Sequence, residues 1–113
     1  MQIKIADRFE LWPLKRLVPY ERNSRLHSDD QVAGIADSIR TFGFLAPIVV
    51  DTRRNRIAAG HGRLLAARML GMAHAPVIAV DHLTESQFRA YVIADNKLAL
   101  NAGWDENALA IEL

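Results

Sequence analysis

Between two apolar stretches, Ile57-Ala58-Ala59 and Leu64-Leu65-Ala66-Ala67, the chain carries Gly60-His61-Gly62-Arg63. A strand that ends in glycine and turns directly into a helix presents backbone N–H groups at the positive end of the helix dipole, a ready seat for phosphate. Gly60 and Gly62 would let a ligand approach the main chain, Arg63 can hold an anion through paired hydrogen bonds, and His61 can donate or shuttle a proton. A cation in the first helical turn is unfavourable for the helix alone, so a bound anion accounts for Arg63. The same four residues would also serve a plain tight turn, and short Gly-x-Gly-Arg patterns are common.

Two further polar groups stand out. Asp95-Asn96-Lys97 interrupts an apolar helical stretch. One carboxylate beside an amide oxygen can hold a magnesium ion that keeps most of its water, and a lysine can offset phosphate charge. Successive helical positions step by about 100°, so the three cannot all point into one site, and a solvated helix face explains them equally well. An early loop carries Asn23, Arg25 and His27, of which Arg25 can reach phosphate or a partner. Arg53, Arg54 and Arg56 form a basic turn that either touches a nucleic-acid backbone or is simply solvated. His74 and His82 lack metal-ligand spacing, and Trp12 and Trp104 read as packing residues.

These groups must be positioned by a small chain. Its 113 residues, half of them apolar, suit one compact domain over residues 1–113. Fourteen Lys and Arg against 13 Asp and Glu leave a net charge of +1, so a polyanion would be held by a local site rather than by an overall basic surface. The chain has no cysteine, which excludes disulfides, thiolate zinc sites and thiol catalysis. The apolar runs fall far short of the roughly 18 residues that a membrane span needs, so a soluble, cytoplasmic protein without a membrane partner is expected.

Local signals order the elements. Residues 8–20, with Pro13 and Pro19, suit an edge strand running into a polar loop. Ser28 with Gln31 forms a capping box, and Val32, Ile35, Ala36 and Ile39 keep helical spacing, which predicts a helix over 29–42 stopped by Gly43. Pro47 to Asp51 and Arg56 to Ala59 flank a polar turn and predict a hairpin whose second strand closes at Gly60. A helix over 62–70 capped by Gly71 follows, then a buried strand over 75–80. Thr84-Glu85-Ser86-Gln87 opens another helix with Phe88, Tyr91, Val92, Ile93, Leu98 and Leu100 on its apolar face, broken at Asn101-Ala102-Gly103. Asp105 then caps a final helix that is still apolar in period at residue 113, as in the N-terminal part of a longer protein. The fold class is α+β, a small mixed sheet with helices packed on it.

Taken together, the polar loop, Ser38-Ile39-Arg40-Thr41-Phe42-Gly43, Pro47-Ile48-Val49-Val50 and the Ile57 to Ala67 stretch resemble the ParB N-terminal domain of the ParB/sulfiredoxin superfamily. The likeness runs from about Leu14 to Asn101. It implies that Gly60, His61, Gly62 and Arg63 contact nucleotide phosphates, and that Arg25 corresponds to the arginine of an early loop motif. Asp95-Asn96 match an acidic residue and asparagine near magnesium and phosphate, with Lys97 beside them. A nucleoside triphosphate, CTP or ATP, is the implied ligand. Where the family's turn carries two adjacent arginines this chain has Gly62 and Arg63, and the cysteine that sulfiredoxin chemistry requires is missing.

The ending Ile93 to Asp105 is similar to ParB-like domains that precede DNA methyltransferase domains. DNA is then expected to be reached through additional domains, nucleotide binding biasing how two copies or a neighbouring domain engage it. Metal-dependent nucleotide hydrolysis or nuclease action, with Asp95 joined by the scattered Asp29, Asp51 and Asp81, is one rival; a protein-interaction domain without ligand is the other.

Overall fold

A computed structural model describes the backbone of residues 2–20 and 27–112, and the side chains of those residues as far as 98. Eight elements follow one another: β1 (Phe9–Pro13), a 3-10 turn (Leu14–Arg16), α1 (Asp29–Phe42), β2 (Ile48–Asp51), β3 (Arg56–Ala59), α2 (His61–Met69), β4 (His74–Val80) and α3 (Glu85–Glu112). They divide into two compact units, residues 1–82 and 83–113.

In the first unit the strands form one mixed sheet in the order β1-β4-β2-β3. β1 runs antiparallel to β4, β4 parallel to β2, and β2 antiparallel to β3. Pro13, which lacks an N–H, closes β1 at the sheet edge, as its sequence suggests. β4 is central and buried along most of its length, which is why Ala75 to Val80 reads as a continuous apolar run. The parallel β2–β4 pair needs a crossover, and β3 with α2 supplies it.

One face of the sheet carries Trp12, Ile48, Val50, Ile57, Ala75, Val77 and Ala79, onto which α2 sets Leu64 and Ala67. On its other side α2 meets α1 through Ala66, Val32 and Ala36. The layers are therefore sheet, α2, α1. The capping box at α1 is formed as expected: the Gln31 N–H donates to Ser28 Oγ and the Ser28 N–H to Gln31 Oε1, both at 3.2 Å.

The last helix departs from expectation. α3 runs unbroken through Asn101-Ala102-Gly103, and Asp105 lies within it rather than capping a new helix. Glycine inside a helix costs only about 1 kcal/mol, which does not by itself end one. Of the expected apolar face, Phe88 and Val92 are buried, one helical turn apart, whereas Ile93 and Leu98 are 66% and 68% exposed. Those residues are spread around the helix instead of forming one stripe.

Because Leu64 fills the space between α2 and the sheet, Leu64→Ala is expected to lower stability by about 2–5 kcal/mol, read from the midpoint of denaturant unfolding at unchanged slope.

Candidate functional site

The turn between β3 and α2 has no loop. Gly60 alone makes it, in the left-handed conformation with φ 96° and ψ 27°. A Cβ there would lie 3.3 Å from the Ile48 Cα as well as being strained by the backbone angle, so both space and conformation call for glycine. The pairing of β2 with β3 shifts register between Val49 and Val50, so that Ala59 faces Val49 while Ile57 faces Val50.

Gly60, the N-cap of α2, has no side chain with which to cap it. The guanidinium of Arg63 folds back over Gly60, its Nη1 being 3.3 Å from where a Cβ would stand. Arg63 is half-buried and has no carboxylate partner among the described residues. A cation held against a helix start is the geometry that favours an anion.

The His61 ring is 3% exposed, and its Nε2 accepts a hydrogen bond from the backbone N–H of Tyr20 at 2.9 Å, so the neutral ring carries its proton on Nδ1. Burial, with a smaller contribution from the charge of His27, lowers its pKa to about 4. The imidazole is therefore neutral at pH 7, with Nε2 held by the Tyr20 N–H.

Gly62 also serves packing. A Cβ on it would lie 2.8 Å from Ile35 Cδ1 and 3.1 Å from the His27 ring, so α1 and His27 occupy the space above it.

The other expected residues are placed differently. Arg25 and Asn23 lie outside the described residues. Asp95 and Asn96 are half-buried on α3 and Lys97 is exposed, all three in the second unit. Burial raises the pKa of Tyr91, and the Asp95 carboxylate one turn away adds to the effect.

The basic turn is largely committed to the fold. Arg54 pairs with the fully buried Asp51 at 2.7 Å, Asp51 also accepts from the Arg53 N–H at 3.2 Å, and the Arg56 guanidinium stands 5.1 Å over the Tyr20 ring. Among the described residues no three His, Asp or Glu side chains are grouped so as to hold a metal ion. No helix among them is long and apolar enough to cross a membrane. The part played by Tyr20 carries no sequence signal, because a tyrosine before a polar loop predicts no bond to a histidine 41 residues away.

The sequence model described as the ParB N-terminal domain matches residues 7–96. The chain belongs to that family. It is similar to the ParB-like nuclease domain-containing protein YnaK of Escherichia coli K12, 47% identical over 75 residues, which make up 66% of this chain and 85% of that protein. It is 32% identical over 87 residues to the nucleoid occlusion protein of Halalkalibacterium halodurans, covering 74% of this chain but only 30% of that one.

The fold of this ParB-family domain is shared with two solved structures. The ParB of Caulobacter crescentus complexed with CTP-gamma-S superposes with a TM-score of 0.69 at 23% identity, covering 80% of this chain and 53% of that one. Sulfiredoxin from Arabidopsis thaliana gives 0.64 at 22% identity, covering 76% and 98%. The domain thus spans about half of that C-terminally truncated Caulobacter ParB chain.

Two outcomes follow from the local geometry. With its folded pKa near 4 and an unfolded value near 6.5, His61 contributes stability that is fully present above about pH 6.5. That contribution is lost as pH falls toward 4, by at most about 3 kcal/mol. Urea unfolding of wild type and His61→Gln across that interval should show a stability difference that is flat above pH 7 and shifts toward the variant's advantage below pH 6.5. Gly60→Ala should cost about 1–3 kcal/mol in the same assay at neutral pH, because alanine meets both a positive φ and the Ile48 backbone.

Proposed function

We propose that this chain is a nucleotide-binding module of a DNA-modification or DNA-segregation protein, holding triphosphate oxygens at the start of α2. The observation that carries this reading is Arg63, a half-buried cation without a carboxylate partner among the described residues, folded over a left-handed glycine that begins α2 without a capping side chain of its own. Gly60, His61 and Gly62 contribute through their backbone at that turn, and Arg63 through its guanidinium.

The ligand of the Caulobacter ParB structure, CTP-gamma-S, makes CTP the first nucleotide to consider here and ATP the second. Arg25 is assigned as a further phosphate contact, and Asn96 and Lys97 are the candidates on α3, where the helical step keeps Asp95, Asn96 and Lys97 from all serving one ligand. Asp95 and Asn96, a carboxylate and an amide on neighbouring positions, are the donors that would suit a magnesium ion still carrying most of its water. Another Caulobacter ParB structure contains the parS site, and for this chain DNA is assigned to further domains, with two copies acting together.

A metal-dependent nuclease draws several carboxylates to one place, and among the described residues no such group of three is found. Asp51, one of the acids such a reading would need, is buried against Arg54.

Thermal-shift titrations with CTP, ATP, GTP and sulfate, each with and without magnesium, test the reading. At a nucleotide concentration one hundred times Kd the domain should gain about 2.7 kcal/mol, several degrees in Tm. Arg63→Ala should weaken binding roughly ten- to a hundredfold. If no ligand shifts the wild type, the phosphate reading fails and a protein-interaction module takes its place.

A further inference from the structure

We infer that His61 is a positioning residue: its imidazole fastens the chain at Tyr20 to the first turn of α2 and thereby sets how tightly that turn holds nucleotide phosphate. The inference rests on the phosphate reading above.

Three fastenings bring residues 18–20 to the end of β3 and the start of α2. The Ile57 N–H donates to the Val18 carbonyl at 2.9 Å, the Arg56 guanidinium lies over the Tyr20 ring, and the Tyr20 N–H donates to His61 Nε2. At the far end of the same segment, the His27 ring packs over Gly62. Tyr20 and His27 thus converge on two successive residues of one helical turn, the turn whose N-cap is Gly60. Of these contacts the His61 bond is the one in which a buried side chain of the phosphate turn itself holds the incoming chain.

The consequence is a coupling. A turn whose inward side chain is anchored presents its N–H groups in a fixed arrangement, and a ligand bound there loses less free energy to ordering the site. Conversely, phosphate that steadies the turn steadies Tyr20. An imidazole suits this role because its acceptor sits at the end of a flat ring that also fills the interior. Glutamine can place an amide oxygen at a similar reach, whereas phenylalanine fills the volume without an acceptor.

The test compares wild type, His61→Gln, His61→Phe and Arg63→Ala, titrated calorimetrically with CTP and ATP in the presence of magnesium. Hydrogen exchange of the Tyr20 amide is followed by NMR on the same samples. His61→Phe is expected to bind about tenfold more weakly and to exchange Tyr20 about tenfold faster, while His61→Gln stays within about threefold of wild type on both readouts. A packing role alone would give the opposite order, with His61→Phe retaining affinity better than His61→Gln. Affinity unchanged in His61→Phe but lost in Arg63→Ala overturns this inference and leaves the phosphate site standing. Absence of binding by wild type overturns both. Should His61→Phe fail to fold, the wild-type Tyr20 amide decides: slower exchange with nucleotide supports the coupling, and unchanged exchange overturns it.

Discussion

At the end of β3 the chain must leave an edge strand and, without a loop, enter a helix that packs on the same sheet, and the arrangement around this corner depends on Gly60 taking a positive φ. The Ile48 Cα stands close enough that a Cβ at 60 would meet it at 3.3 Å. With the corner made in one residue, the phase of α2 is set: Leu64 and Ala67 face the sheet, Ala66 faces α1, His61 turns into the interior and Arg63 folds back over the corner. A different residue at 60 would displace core packing and site together, because both are read from the same helical phase.

Charge distribution separates Arg63 from most of the basic residues around it. Arg8 meets Glu10 and Asp81, Arg40 meets Asp37, Arg54 meets Asp51 and Arg89 meets Glu85, while Arg16 and Arg56 lie over aromatic rings. Arg53 and Arg68 are exposed, where water screens them. Arg63 is half-buried at the positive end of a helix, where neither a carboxylate among the described residues nor full hydration offsets its charge. The neutral His61 beside it avoids adding a second charge to that interior.

Glycines in this short stretch do different work, and sequence could not separate them. Gly60 answers a backbone requirement, which its place between a strand and a helix announces. Gly62 answers a packing requirement, set by Ile35 and His27, whose approach depends on how α1 crosses α2. The same holds for the basic hairpin turn: read along the chain, Arg53, Arg54 and Arg56 form one patch, but the buried Asp51 takes Arg54 and the Tyr20 ring takes Arg56.

What the sequence determined by itself are the features settled within a few residues: the Ser28–Gln31 capping box, α1 over Asp29–Phe42, the β2–β3 hairpin, the Pro13-ended edge strand and the glycine corner before α2. Each rests on a local hydrogen bond, a fixed φ or an apolar period, all of which the neighbouring residues specify. The same local rules failed at Asn101-Ala102-Gly103, where a weak propensity did not interrupt α3. Only the tertiary structure decided that β4 lies between β1 and β2, that Gly62 is filled from α1, and that His61 faces Tyr20 across 41 residues. Those pairings follow from strand order and helix crossing, and a contact between distant segments leaves no periodic trace in either one.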